Sequence, residues 1–127
     1  MPKVVYSASR GLYQESGSGF EIGDVAIAEA AETVSAAGAV SSFGSTTLDS
    51  TAGVMANTLA ANTNVGASKF ITMSADGGAA TLTVTGGGIQ SDGTLLSTIT
   101  FDDVGDFAVL ISDGAQWICT SSTATEA

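Results

Sequence analysis

Residues 80–85, ATLTVT, alternate without a break: Ala80, Leu82 and Val84 fall on one side, Thr81, Thr83 and Thr85 on the other. Only an extended strand, whose side chains point to opposite faces in turn, separates those two sets. Its apolar face must be covered, so the chain has to build a second β layer or close its sheet. The same texture runs on from Gly38. Residues 39–42, 46–48, 53–61, 69–75, 97–101, 107–112 and 116–120 read as further short strands. Asp76-Gly77-Gly78 and Asp113-Gly114 are turn signals, because glycine accepts backbone conformations closed to other residues. Residues 86–88 and 91–93 frame a loop. Eight or so strands parted by such turns predict an all-β fold: a small antiparallel sandwich, barrel or prism-like domain. No exact internal repeat is visible.

The flanks are less regular. Residues 24–36, DVAIAEAAETVSA, fit two patterns. Ile27, Ala31 and Val34 share a helical stripe with Asp24 as its cap, and alanine favours helix. Val25 and Ile27 also alternate with alanines as a strand would, and the β texture around them favours extended chain. Residues 1–23 read as an extended N-terminal arm. Val4, Val5 and Tyr6 suit a short strand, while Leu12, Tyr13 and Phe20 punctuate a tract rich in Ser and Gly. Two readings of it stand together: an arm docked on a neighbouring subunit or a host surface, and a loosely ordered terminus. Residues 121–127 are expected to form a flexible tail, which leaves 24–120 as the β-rich domain.

Small side chains limit what such a domain can bury. Ala, Gly, Ser and Thr make up more than half of the 127 residues. A chain of this length buries about two-thirds of its extended surface, and small residues lower the apolar area within that fraction. A partner that completes the core is therefore expected. Phe70, Leu82, Val84, Phe101, Phe107, Val109 and Trp117 are assigned to the core or to a subunit interface.

Charge narrows the partners. Thirteen acids face three bases, a net charge of −10. No basic face exists to neutralise phosphates, which excludes nucleic acid and disfavours anionic membranes. Residues 1–20 carry Lys3 and Arg10 against Glu15, whereas 21–127 carry twelve acids against Lys69 alone. Lys69 is expected to pair with a carboxylate across a strand or an interface. No apolar run reaches membrane-spanning length, and MPKVVYSASRG lacks the pattern of a signal peptide. A cytoplasmic site of synthesis is the expectation.

Reaction chemistry has little to work with. The chain has no histidine, hence no histidine base and no Ser-His or Cys-His pair. Asp102, Asp103 and Asp106 crowd one turn, but the spacing of an EF-hand is not met and a solvated loop is the simpler reading. Cys119, the single cysteine, lies beside Trp117 and Ile118 and suits a small, partly buried strand residue. Trp117 suits the core or an interface better than a sugar-stacking platform. No enzyme, cofactor or metal site is expected.

Two runs carry a resemblance: NVGASKFITMSADGGAATLTV at 64–84 and TITFDDVGDFAVLISDGAQWI at 98–118. They share an order of Gly66, Lys69 and a hydrophobic strand; Asp76 to Gly78 and a threonine-alternating strand; Thr98 to Phe101; Gly105-Asp106; an apolar strand; then Asp113-Gly114 and Trp117. With TVSAAGAVSS at 33–42 as its lead-in, this resembles a small β module of tailed-phage virion proteins, especially those of marine and cyanobacterial phages. The module occurs in head decoration and head-fibre proteins and in some tail fibres. The resemblance covers residues 31–119 and implies a non-enzymatic decoration or cement protein. Such proteins sit on the outer surface of the capsid as homotrimers, with the major capsid protein as partner. By that likeness Val4, Val5, Tyr6, Arg10, Leu12, Tyr13 and Phe20 form the capsid-binding arm. The alternative is a head-fibre or tail-fibre adhesion module contacting host glycans. The absence of a stalk, coiled coil or second module favours decoration.

Overall fold

The computed structural model describes residues 4–7, 11–14 and 31–127. Near the N-terminus β1 (Val4–Ser7) and β2 (Gly11–Gln14) pair antiparallel, from Val4 opposite Gln14 to Ser7 opposite Gly11. Beyond residue 30 the chain builds two sheets with one apolar core between them.

The first six strands of this body are β3 (Ala31–Val34), β4 (Gly38–Val40), β5 (Gly44–Asp49), β6 (Met55–Ala60), β7 (Ser68–Ala75) and β8 (Ala80–Thr85). They are laid alternately in the two sheets: β3, β5 and β7 run parallel in one, β4, β6 and β8 parallel in the other. The chain thus winds three times from sheet to sheet, as a short two-sided β-solenoid. Each coil adds an apolar residue to the same column. Val34, Leu48 and Met73 are neighbours in one sheet, and Val40, Leu59 and Val84 in the other. All of these are buried except Val34, which packs half-buried at the open end.

After β8 the winding stops. β9 (Ile89–Ser91) and β10 (Thr94–Leu96) form a hairpin, and β11 (Thr98–Phe101) returns antiparallel along β8. β12 (Phe107–Ser112) lies antiparallel to β7, β13 (Trp117–Ser122) antiparallel to β12 and parallel to β9. β14 (Thr125–Glu126) closes the other sheet against β11. The sheets have seven strands, ordered β10-β9-β13-β12-β7-β5-β3, and five, ordered β14-β11-β8-β6-β4.

The all-β, two-layer architecture is the one the alternation predicts. Strand direction differs from the antiparallel expectation, since five strand pairs are parallel. In the solenoid, consecutive strands pass to opposite sheets, so neighbours within a sheet lie one coil apart and run the same way. The tail expected at 121–127 is another difference, because it completes β13 and forms β14. Ser97 N and Thr98 N donate to Ala127 O at 3.1 and 2.8 Å, and Ala127 N donates back to Thr98 O at 2.9 Å. The edge of β11 offers backbone groups that need partners, and the tail supplies them. The loop framed at 86–93 holds β9, followed by an Asp92-Gly93 turn with φ of 44° and 80°. Of the ambiguous segment 24–36, Ala31–Val34 is strand and 24–30 lies outside the described residues.

Trp117 anchors the core. It is fully buried, and its Nε1 donates to Ala60 O at 3.0 Å, which satisfies its one polar atom. At the solenoid's turns, Ser50 O accepts from Gly53 N at 2.8 Å and Gly77 N at 3.1 Å. The two turns approach so closely there that a Cβ on Gly77 would collide with Thr51 O.

Candidate functional site

The expected core and interface residues separate into two groups. Leu82, Val84, Phe101 and Trp117 point inward and are buried. Phe70, Phe107 and Val109 do not join them. They lie on the outer face of the seven-stranded sheet, where Phe70 pairs with Val109 across β7 and β12. The inward positions beside them are taken by Lys69, Ile71, Ala108 and Leu110, so the pleat turns these three outward. Of the expected arm residues, Val4, Val5, Tyr6, Leu12 and Tyr13 fall on the β1–β2 hairpin, while Arg10 and Phe20 lie outside the described residues.

Lys69 meets its expected carboxylate inside the protein. Its side chain is fully buried, with Nζ 3.4 Å from Glu32 Oε1, 3.3 Å from Phe43 O and in close contact with Thr46 Oγ1. Glu32 Oε1 also accepts from Ser41 N at 2.7 Å and from Thr46 Oγ1 at 2.6 Å. Residues of β3, β5 and β7 are thereby tied through one carboxylate oxygen. Burial alone would raise the Glu32 pKa, but the bonds from Thr46 and Ser41 and the charge of Lys69 outweigh it and hold the carboxyl below its ordinary range. Burial pulls the Lys69 amine down, and Glu32 offsets part of that. This constellation fastens coils together and keeps the Lys69 amine away from solvent.

The acidic turns are similarly occupied. Asp106 Oδ2 accepts from Asp102 N at 3.0 Å and Asp103 N at 3.1 Å, and Oδ1 accepts from Thr123 Oγ1 at 3.2 Å. Burial would raise its pKa, and these donors more than reverse that. The carboxylate is a brace for its own loop. A shallow polar depression of about 170 Å³ lies between Asp92 and Glu126, with Cys119 on its wall. Cys119 Sγ donates to Glu126 Oε1 at 3.2 Å, and burial together with that carboxylate pushes the thiol up to about 12. A thiol so protonated is a poor nucleophile. Among the described residues no group of three or more His, Cys, Asp or Glu side chains converges to hold a metal ion, and no helix is long and apolar enough to cross a membrane.

The outer face of the seven-stranded sheet is the feature that stands apart. Phe70 is 41% exposed, Ile111 38%, Ile118 37% and Leu95 60%, with Phe107 and Val109 half-buried among them. Pairing sets Ile111 beside Ile118 and Ile118 beside Gln90, which neighbours Leu95. Phe70 and Phe107 stack with ring centroids 6.3 Å apart and planes at 27°. Sequence reasoning missed Ile111, Ile118 and Leu95. The signal for Ile111 was present in 107–112, FAVLIS, which is apolar on both faces until its last residue. Such a run belongs to a strand covered on both sides.

No family model matches the chain, and no curated protein matches it.

Proposed function

We propose that this chain is a structural virion protein, a decoration or cement protein that coats and stabilises a tailed-phage capsid as a homotrimer. The observation that carries the reading is the N-terminal hairpin. Among the described residues β1 and β2 form a two-stranded sheet of their own, hydrogen-bonded to neither sheet of the body. A lone hairpin is marginal in water and gains stability by resting on a surface. An arm that precedes a complete acidic sandwich, and that carries two of the three basic residues in its first ten positions, is suited to hold a different partner from the body. By the resemblance of residues 31–119 to a module of tailed-phage virion proteins, we take that partner to be the major capsid protein.

Binding only to the mature shell adds interface area to that state and raises the barrier to its rupture. Removing residues 1–20 should abolish attachment to mature, undecorated capsids while leaving the far-ultraviolet circular dichroism and urea midpoint of the body unchanged. Truncated protein that still saturates capsids would falsify the arm's role. The adhesion reading predicts instead that the intact chain binds host-surface glycans and leaves capsids bare.

A further inference from the structure

We infer that the outer face of the seven-stranded sheet is the surface on which a second copy of this chain seats, with Phe70, Leu95, Phe107, Val109, Ile111 and Ile118 covered by the neighbour. This deepens the trimeric part of the decoration reading and rests on it only for the number of copies.

The two outer faces of the sandwich are built differently. The five-stranded sheet shows water Ala56, Thr58, Ala60, Thr83 and Thr85, and none of the large exposed apolar side chains lies on its strands. Such side chains number eight among the described residues. Four of them, Phe70, Leu95, Ile111 and Ile118, share the outer face of the seven-stranded sheet, and the others are Phe43, Val54, Val65 and Val104 in connecting segments. Soluble proteins scatter exposed apolar residues singly; a contiguous patch marks an interface.

Charge selects the occupant. Of the nine acids among residues 31–127, Asp76, Asp92, Asp102, Asp103, Asp106 and Asp113 sit in turns, outside the strands. The central strands β7, β12 and β13 put no charged residue on the outer face, and Asp49, at the last position of β5, lies at its margin. Copies of charge −10 repel each other where their acidic turns meet. The outer faces of both sheets are clear of that charge, and of the two only the seven-stranded one adds large apolar side chains to bury. Charge depletion at the centre with a polar rim is the composition of an interface core. Size agrees as well. Strands spaced about 4.8 Å apart, averaging about five residues at 3.3 Å each, cover roughly 550 Å² for the seven strands. With the relief of its side chains such a face approaches the ~800 Å² that each partner buries in a standard interface.

The test is sedimentation equilibrium of the full chain across the micromolar range, with Val109→Glu, Ile111→Glu and, on the opposite face, Thr83→Glu. Wild type and Thr83→Glu should associate, and the other two should associate at least about tenfold more weakly with wild-type circular dichroism. A monomeric wild type overturns the inference, as does a Val109→Glu or Ile111→Glu chain that assembles normally. If either variant unfolds, hydroxyl-radical footprinting of wild type decides. Phe70, Phe107 and Ile111 protected only at high concentration support the face, and equal labelling at both concentrations sinks it. Capsid attachment does not enter these readouts. A monomer that coats capsids defeats this inference and the trimeric part of the decoration reading but leaves capsid attachment standing. An oligomer that ignores capsids defeats the decoration reading alone.

Discussion

Lys69 shows how one residue can serve a fold at a cost. An ammonium taken fully out of water is expensive, and its partner Glu32 keeps about a third of its side chain exposed. Removing the acid strands a buried charge, whereas replacing the base with an apolar chain of similar length removes the expense along with the bond. Glu32→Ala should therefore lower unfolding stability by about 2 kcal/mol more than Lys69→Met does, measured by urea denaturation at neutral pH. Equal losses would mean that Lys69 is solvated through a path the buried geometry denies it. The pH dependence has a definite sign. Glu32 is held below its ordinary value of 4.5, so its contribution is complete above that value and is lost as pH falls through the lowered one. Lys69 is lowered from 10.5, so the unfolded chain holds that proton more tightly and stability rises with pH up to that value. Glu32→Gln should flatten the acid limb of the stability curve without removing it, because Asp49, Asp106 and Asp113 are lowered too.

At the scale of elements, β14 separates a packed tail from a frayed one. Thr123 Oγ1 accepts from Phe107 N at 3.1 Å, and the terminal residues cap the edge of β11. Deleting residues 123–127 should cost roughly 1–3 kcal/mol, a few net hydrogen bonds at about 1 kcal/mol each, seen as a lower urea midpoint. An unchanged midpoint would show that β14 contributes nothing. Local alternation was enough to place β8 to the residue, and an unbroken apolar run placed β12. Glycines marked the turns at 76–78 and 113–114, but only Gly114 takes a positive φ, and Gly77 serves instead by the close approach of Thr51 O. The solenoid was not legible. The spacing between stacked residues changes from coil to coil: 14 from Thr33 to Thr47 and 19 from Val40 to Leu59, then 25 from Thr47 to Thr72 and from Thr58 to Thr83. What is repeated there is side-chain class, as in Leu48 with Met73 or Leu59 with Val84, and identity is mostly lost. Asp92-Gly93 is a two-residue hairpin signal of the same kind as Asp113-Gly114. It escaped notice because only three residues of strand lie on either side. The apolar outer face was half visible, since Phe70, Phe107 and Val109 were assigned to a core or an interface, and only the pleat shows which side they take.

For the molecule as a whole, the balance lies between a neutral face that attracts and a net charge that repels. Assembly through ion pairs would weaken in salt, because screening removes attraction between opposite charges. Assembly through an uncharged apolar face between copies of charge −10 should respond the other way. Salt screens the repulsion between the acidic turns and leaves apolar burial intact. Raising sodium chloride from about 0.05 to 0.5 M shortens the screening length from roughly 14 to 4 Å, which confines the repulsion of those carboxylates to near contact. The association constant of the full chain should then rise several-fold, read by sedimentation equilibrium at the two salt concentrations. Dissociation in high salt would assign assembly to charged contacts, with Lys3 and Arg10 as the sequence's basic residues besides the buried Lys69. The apolar face would then be left without its second copy.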